Sequence, residues 1–398
     1  MLLAGLGMFV IGSVASGLAS TIHELIAFRA LQGLGAGAVQ PIVLTVVGDL
    51  YTPAERGRVQ GFFGAVWGAA GVSGPLLGGA IVSSLSWRWI FLVNVPPGLA
   101  AMAVLWVVYK GRTRGRSRAT PLDLLGAGAI TLASVCLLLA ASGVAPIATG
   151  SAGVLLAAGF VWVERRAADP VLPLSLLGRR LIAVTTSASL LTGAAMMGVL
   201  TFLPLRAGCA RPLADRGGAG DRAVLVGWPI ASAVTSRMIV RTGYRRPTWL
   251  GSVITVAALA ALVPLVLGHA PPWALGLAMF GFGVGMGLAN TAILIGVQAS
   301  VDQGQRGVAT ATTMFSRTMG GALGVGGLGA VLAARLGERV PSDVTSALLD
   351  PHERERVLAI PGVVEALGNA LQPVFVSCAV AAGLALLVVL AHPHDARS

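Results

Sequence analysis

Two arginines of this sequence lie inside long apolar stretches, where a charged side chain needs a specific environment. Arg29 and Gln32 lie near the start of the stretch from Leu25 to Gly48. Arg317 lies deeper in the stretch from Val308 to Ala334, roughly 15 Å from its start at a helical rise of 1.5 Å per residue. An arginine so placed normally faces the interior of a helix bundle or a water-filled cavity. For Arg29, the alternative is a side chain that extends to the outer lipid headgroups.

The acidic residues, which could exchange protons beside these arginines, lie outside the middle of every apolar stretch. Asp49 and Asp123 lie at the ends of stretches, and the other acids and the five histidines lie in loops, tails or one irregular segment. The three cysteines, Cys136, Cys209 and Cys378, are far apart. Because no metal-ligand spacing, phosphate-binding loop or catalytic cluster is present, the sequence predicts neither an enzyme nor a cofactor or metal site.

The composition indicates a protein that crosses a membrane many times. Of 398 residues, 55% are hydrophobic and only 11% are charged, with a mean hydropathy of +0.82, whereas soluble domains carry roughly 25% charged residues. A soluble enzyme, a disordered chain and a disulfide scaffold are therefore excluded, and an all-α bundle of spanning helices is predicted. Eleven stretches are long enough to span, with an ambiguous twelfth ending near Val240: Leu2–Ala19, Leu25–Gly48, Val59–Ser83, Ile90–Tyr109, Leu122–Ala141, Ile147–Val163, Leu181–Leu205, Leu250–Leu267, Trp273–Val297, Val308–Ala334 and Leu371–Ala391.

The net charge of +12 is explained by membrane topology. If the helices alternate in direction, most basic loops fall on one side, which the positive-inside rule assigns to the cytoplasm. The charge therefore indicates a lipid bilayer rather than nucleic acid as the partner. The basic residues concerned are Arg56, Arg58, Lys110 to Arg118, Arg165, Arg166, Arg179, Arg180, Arg241, Arg245, Arg246 and Arg306.

An internal repeat relates the two ends of the chain. A shift of 250 residues superposes the glycines of two helices and the Arg-Gly pair between them. Parallel repeats in one membrane chain are typical of transporters whose substrate path lies between two pseudo-symmetric halves. The superposed glycines are Gly33, Gly35, Gly37, Gly71, Gly74 and Gly79 on Gly283, Gly285, Gly287, Gly321, Gly324 and Gly329.

The third helix carries a run of small residues around one proline. Its pattern resembles the antiporter motif G-x8-G-x3-G-P-x2-G-G of the fourteen-helix drug:proton antiporters of the major facilitator superfamily, with alanine in place of one glycine. The resemblance implies a packed hinge between moving elements, because small residues allow close helix contact and proline bends a helix. The matching residues are Gly61, Ala70, Gly74, Pro75, Gly78 and Gly79.

Further motifs support the same resemblance. The run RALQGLGAG, with Arg29 and Gln32, is similar to the second motif of the family, which implies that Arg29 takes part in proton coupling. A cavity-lining role is expected for Arg317. At the cytoplasmic face, Arg241, Gly243 and Arg245 weakly resemble the loop motif of the superfamily. Asp49 and Arg56 are interpreted as an interhelical charge contact there, with simple solvated helix ends as the alternative.

The resemblance predicts the major facilitator fold with two extra central helices. The expected division is 1–110 for the N-terminal half without its first two helices, 111–178 for the extra helices and their loops, and 179–398 for a six-helix C-terminal half. On this interpretation the chain is truncated at its N-terminus. Segment 206–222, rich in arginine and glycine, is anomalous and suggests a pair of compensating frame changes, with a basic loop as the alternative, and segment 337–368 is expected to be extracellular.

The function implied by the resemblance is export of hydrophobic or cationic drugs or antibiotics by proton antiport and alternating access. The expected partners are a small drug-like substrate, protons and the lipid of a bacterial plasma membrane, and the expected state is a monomer without cofactors. Since no carboxylate lies deep in a spanning stretch, we expect that the chain does not couple export to protons unaided. A non-transporting fragment and a carrier for sugars or metabolites are the alternatives.

Overall fold

The protein is described by a computed structural model that covers residues 1–108, 123–167, 170–209, 219–267, 271–338, 340, 360 and 362–391. Parts of the predicted segments 206–222 and 337–368 lie outside these ranges. Within them, every regular element is a helix. The α-helices are α1 (Leu2–Leu18), α2 (Ile22–Leu50), α3 (Pro53–Ser84), α4 (Trp89–Leu92), α5 (Val95–Val108), α6 (Leu124–Ala141), α7 (Pro146–Glu164), α8 (Leu174–Leu177), α9 (Arg180–Cys209), α10 (Ala219–Thr242), α11 (Arg245–Leu267), α12 (Pro272–Ala299), α13 (Arg306–Gly337) and α14 (Val363–Leu390).

The predicted spans correspond closely to these helices. Nine helical segments among the described residues are long and apolar enough to cross a bilayer. The ambiguous stretch ending near Val240 forms the 24-residue helix α10, and the predicted all-α, polytopic fold is confirmed. The helices are long because the backbone N–H and C=O groups of an apolar run in lipid find hydrogen-bond partners only within the helix.

The repeat appears as two similarly built groups of helices, α1–α3 and α11–α13. With the shift of 250 residues, the start of α2 at Ile22 coincides with the start of α12 at Pro272. In both groups the first two helices approach closely at a glycine: a Cβ added at Gly35 would lie 2.6 Å from the carbonyl oxygen of Gly5, and one added at Gly285 would lie 2.7 Å from that of Gly251. We call α1–α5 the first half and α9–α14 the second half.

Helices α6 and α7 form a hairpin between the halves in sequence. They pack on each other, and a Cβ added at Gly153 of α7 would lie 2.8 Å from Cγ of Leu137 of α6. The hairpin also touches α13, where Gly326 lies against Ala141. Their assignment as the two extra helices of a fourteen-helix antiporter stays a prediction.

Among the residues whose side chains the structure describes, the clusters of the hydrophobic core lie mainly in the second half. Its largest cluster is formed by α9, α10, α11, α12, α13 and α14 and includes the fully buried Phe282, Leu371 and Phe375. A smaller cluster joins α8, α9, α12, α13 and α14. Because the second half packs its helices around shared side chains, it can position the polar residues of the bundle.

At one end of the second half, arginines form hydrogen bonds that join the helix ends. Arg179 donates to the carbonyl oxygen of Ser300 at 3.2 Å, and Arg180 donates to that of Ala391 at 3.0 Å. The start of α9 is thereby joined to the ends of α12 and α14. Tyr244, in the turn between α10 and α11, packs on Gly296 at the same end. The arginine-bearing helix ends therefore gather at one face, which we call the basic end.

Candidate functional site

At the basic end, an ion pair joins the two halves. Arg306 begins α13, and its Nη1 lies 3.1 Å from Oδ1 of Asp49 near the end of α2. The same Nη1 donates to the carbonyl oxygen of Gly48 at 3.2 Å. Because the side chains of Arg306 and Asp49 are 24% and 32% exposed, water reaches the pair and weakens it to about 1 kcal/mol or less. Such a contact can form and break as the halves move.

A buried glutamine makes a second link between the halves. Nε2 of Gln298 donates to the carbonyl oxygen of Leu44 in α2 and to Oγ1 of Thr310 in α13, both at 3.2 Å. Gln298 is 1% exposed, and it packs against Gly48, where an added Cβ would lie 2.9 Å from its Oε1. The absence of a side chain at Gly48 therefore makes room for the amide. We call these contacts of Asp49, Arg306 and Gln298 the inner link.

Asp49 has a partner in the structure that the sequence did not suggest. It contacts Arg306, which the repeat places in the position equivalent to Arg56. The predicted contact of Asp49 with Arg56 stays a prediction, because the side chain of Arg56 lies outside what the structure describes. The observed ion pair connects the two halves.

The tight turn between α10 and α11 carries three more of the predicted residues. Gly243 adopts a φ of 74°, and its N–H donates to the carbonyl oxygen of Ile239 at 2.9 Å. A left-handed glycine of this kind ends a helix at little conformational cost. Arg241 and Arg245 flank it at the basic end, and Arg245 engages a neighbouring group. The turn thus places basic groups beside the helix ends that carry the inner link.

In the first half, Arg29 and Gln32 form a hydrogen-bonded chain with α1. Nη1 of Arg29 donates to Oε1 of Gln32, and Nε2 of Gln32 donates to Oγ of Ser13, both at 2.6 Å. The guanidinium carbon of Arg29 also lies 5.7 Å from the ring centroid of Phe91. Gln32 is 3% exposed, and Ser13 is fully buried. The chain orients Arg29 away from the basic end, at the start of α2.

Arg317 lies at the crossing of α13 and α9 and is half-buried. Gly193 of α9 approaches its backbone so closely that an added Cβ would lie 3.1 Å from Cα of Arg317. Buried Thr313 and Ser316 precede it on α13. Among the residues described, the ion pairs are those of Arg306 with Asp49 and Arg335 with Glu338, so Arg317 contributes a positive charge without an ionic partner. Arg29 and Arg317 lie in different halves and are not brought together by a shared contact.

The antiporter-like motif lies along α3. Near its start, a Cβ added at Gly61 would lie 3.1 Å from Cβ of Ala233 in α10, so this residue permits a close approach of the first half to the second. Further along, no atom lies within 4 Å of a Cβ added at Gly74, Gly78 or Gly79. Ala70 is exposed, and the side chain of Pro75 lies outside the described set.

Two parts of the site were missed by sequence reasoning. Gln298 was not singled out, although a glutamine near the end of an otherwise apolar helix is a polar signal of the same kind as Gln32. Ser13 was also missed, because a serine in a glycine-rich helix has no distinguishing pattern. Both become important only through a partner far away in sequence.

Comparison with known proteins gives a consistent result. The sequence profile described as Major Facilitator Superfamily matches residues 1–325. The MFS-type transporter Rv1877 of Mycobacterium tuberculosis (strain ATCC 25618 / H37Rv) is 34% identical over 96% of this chain and 58% of its own length. The multidrug transporter protein MdtP of Bacillus subtilis (strain 168) is 33% identical over 84% of this chain and 63% of its own. The chain thus spans about three fifths of the length of these relatives.

A solved structure shows the same fold. The proton:xylose symporter XylE superposes with a TM-score of 0.59 at 13% identity, over 97% of this chain and 78% of XylE. At this identity the likeness concerns the arrangement of helices.

Proposed function

Because the chain belongs to the major facilitator superfamily, we propose that it exports hydrophobic or cationic drug-like compounds by alternating access of its two halves. The protein is a multi-pass protein of the bacterial plasma membrane. The similarity to MdtP supports a drug-like cargo. The observation that carries the proposal is the inner link, because it joins the halves at one end and includes an ion pair that water reaches.

In this proposal the inner link is the gate at the basic end. While Arg306 contacts Asp49 and Gln298 contacts Leu44, the ends of α2 and α13 stay together and the path is closed there. Opening this end separates the ion pair, and water solvates both charges. Arg241, Gly243 and Arg245 belong to the same end, and Arg56 is assigned to it by its sequence position.

Proton exchange is the proposed energy source of the transporter, with Arg29, Gln32 and Arg317 at the coupling and cavity positions. The carboxylate that carries the proton is expected outside the spanning stretches of this chain, which hold none at their middle. A guanidinium favours the ionised form of a neighbouring carboxylate, so these residues would tune the group that carries the proton. The small residues Gly61, Ala70, Gly74, Gly78 and Gly79, with Pro75, are proposed as the hinge in α3. We propose a monomer as the working unit.

The proposal is tested by export of the cationic dye ethidium from cells of a pump-deficient bacterium. Cells that express the chain are expected to accumulate less dye, and the difference should vanish when the proton gradient is collapsed. Higher accumulation would indicate an uptake carrier, and unchanged accumulation would indicate a fragment that does not transport. Dye export that persists without a proton gradient would contradict antiport.

The inner link is tested with a matched pair of variants on α13. Arg306→Gln removes the bond between halves, whereas Arg335→Gln removes an exposed pair with Glu338 within the end of the same helix. We expect Arg306→Gln to reduce export severalfold and Arg335→Gln to leave it unchanged. Exchange of the charges, Asp49→Arg with Arg306→Asp, should restore part of the export. Equal effects of Arg306→Gln and Arg335→Gln would exclude the gate.

A further inference from the structure

Two carboxyl groups meet at the base of the α6–α7 hairpin, away from the inner link. Asp123 caps the start of α6, and its Oδ1 accepts a hydrogen bond from the N–H of Gly126 at 2.8 Å. Glu164 is the last residue of α7, and its Oε1 accepts a hydrogen bond from the N–H of Leu172. Each carboxyl group therefore has one oxygen engaged by the backbone and one oxygen left over.

The two remaining oxygens are buried together. Oδ2 of Asp123 and Oε2 of Glu164 have no contact with solvent and no hydrogen-bond donor among the described residues. Both lie over the Cα of Gly126, where an added Cβ would lie 2.9 Å from Oε2 of Glu164 and closer still to Oδ2 of Asp123. Glu164 as a whole is only 4% exposed. The unpartnered oxygen of a buried glutamate thus lies beside the unpartnered oxygen of a second carboxyl group.

Two ionised carboxylates cannot share such a site at low cost. Like charges this close repel, and burial removes the water that would screen them. One proton placed between the oxygens removes a charge and supplies the missing donor, as in other paired carboxyl groups that titrate as a unit. We propose that Asp123 and Glu164 bind one shared proton, which holds the base of α6 against the end of α7.

No described cation forms an ion pair with either carboxyl group, and the donor set fits a proton better than a metal ion. Arg165 and Arg166 follow Glu164, and the guanidinium of Arg166 lies 3.8 Å from the ring centroid of Trp162, to which it is directed. Helix α13 approaches α6 at Gly326 and Ala141, at the other end of α6 from Asp123. No group of three metal-binding side chains occurs in the described ranges, and two carboxylates alone are a poor site for Ca²⁺, which takes six to eight oxygens.

Release of this proton has a structural consequence. The O–H bond of the protonated carboxyl breaks, the proton passes to water, and two facing carboxylates remain. Their repulsion separates α6 from α7, and because Glu164 also accepts from Leu172, the connection towards α9 loosens with them. The hairpin base would therefore respond to pH through groups that take no part in the inner link.

The proton is detected by infrared titration of the purified full chain, which resolves the carbonyl stretch of a protonated carboxyl. We expect a protonated carboxyl that persists above the pH near 4 at which ordinary Asp and Glu lose their proton. The band should be absent above that pH in Asp123→Asn with Glu164→Gln and retained in the control Glu365→Gln, which removes an exposed carboxylate from the first turn of α14. A wild-type spectrum without this band would overturn the proposal.

A second measurement does not require the doubly substituted variant to fold. The folded pair holds a proton that the separated carboxyls of the unfolded chain release, so the melting temperature should fall as pH rises through the titration of the pair. In Glu164→Gln the amide donates to Asp123 permanently, and this fall should disappear. A melting temperature that rises with Ca²⁺ and drops with a chelator would assign the site to a metal ion instead and overturn the proton assignment.

Discussion

The two halves contain similar helices but use them differently. Helices α2 and α12 are related by the repeat, yet 17% of the most apolar window of α2 is buried, against 78% of that of α12. Within the described part of the chain, the clusters of the hydrophobic core consist of residues from Leu176 onwards. Similar sequences thus lead to very different burial.

Individual glycines show the reason for this difference. A Cβ added at Gly283 would lie 2.9 Å from Cα of Val224 in α10, and one added at Gly287 would lie 3.2 Å from Cα of Trp228. Their counterparts Gly33 and Gly37 have no atom within 4 Å. A glycine stripe therefore gives a helix the capacity for close contact, and a neighbouring helix must lie opposite before that capacity is used.

The helix α3 shows the same contrast with α13. A Cβ added at Gly324 would lie 2.8 Å from Cα of Ala194, whereas Gly74 has no neighbour within 4 Å. At the position equivalent to Gly320, which packs on the backbone of Leu190, the first half carries the exposed Ala70. Alanine therefore replaces the glycine of the antiporter-like motif at a position where the described residues leave space for its methyl group.

The largest expected effect on stability comes from replacing the closely packed glycines of α12 with valine. Gly283→Val with Gly287→Val should destabilise the protein by about 1–3 kcal/mol at each position, because overpacking forces helices apart. Gly33→Val with Gly37→Val introduces the same side chains into α2, with the same change in helix propensity. Because no atom lies within 4 Å of these positions, stability should change little. Melting temperatures of the two purified variants in detergent provide the measurement. Equal losses would show that the face of α2 is packed in the protein as purified.

A smaller effect on stability is expected from removing the side-chain amides of Gln298 and Gln32, which form hydrogen bonds between helices. Gln298→Leu leaves the carbonyl oxygen of Leu44 and the hydroxyl of Thr310 without this donor, at a cost of about 1–3 kcal/mol. Gln32→Leu removes a similar amide that links only α1 and α2. Hydrogen exchange should therefore rise near the C-terminal end of α2 and near the start of α13 for Gln298→Leu. For Gln32→Leu it should rise near the start of α2. Exchange confined to the second half in Gln298→Leu would contradict a link between halves.

The smallest effect concerns the first turns of α3 and α13. Oε2 of Glu55 accepts hydrogen bonds from the N–H and the hydroxyl of Thr52, at 2.9 and 2.8 Å, and these bonds lower the pKa of Glu55 below its ordinary value. Because the folded pKa is the lower one, the stabilisation exists above the unfolded pKa and is lost as pH falls through the folded pKa.

Hydrogen exchange measures this local effect. Acidification below about pH 4 should increase exchange in the first turn of α3, and Glu55→Gln should remove most of the pH dependence. The start of α13 has no acidic residue in its first turn and serves as the internal control. An equal acid response in both helices would show that Glu55 is not its cause.

Much of the fold was predictable from the sequence, because the helices are defined by local properties. The apolar runs predicted the bounds of α6 and α9 to within a few residues, and the glycine pattern predicted the relation of α2 to α12. Helix α10 was ambiguous, since the anomalous segment 206–222 interrupts the apolar pattern before it. The division of the chain at 110 and 178 and the roles of the individual site residues stay predictions.

The sequence by itself determined the membrane class, the helices and the repeat, because hydrophobicity and glycine spacing act within a few turns of one helix. The partner of each polar group was decided by the tertiary structure alone. Asp49 meets Arg306 of the other half, Gln298 reaches Leu44, and Glu164 lies against Asp123. Such pairs depend on which helix ends lie side by side, and that geometry results from packing over the whole chain.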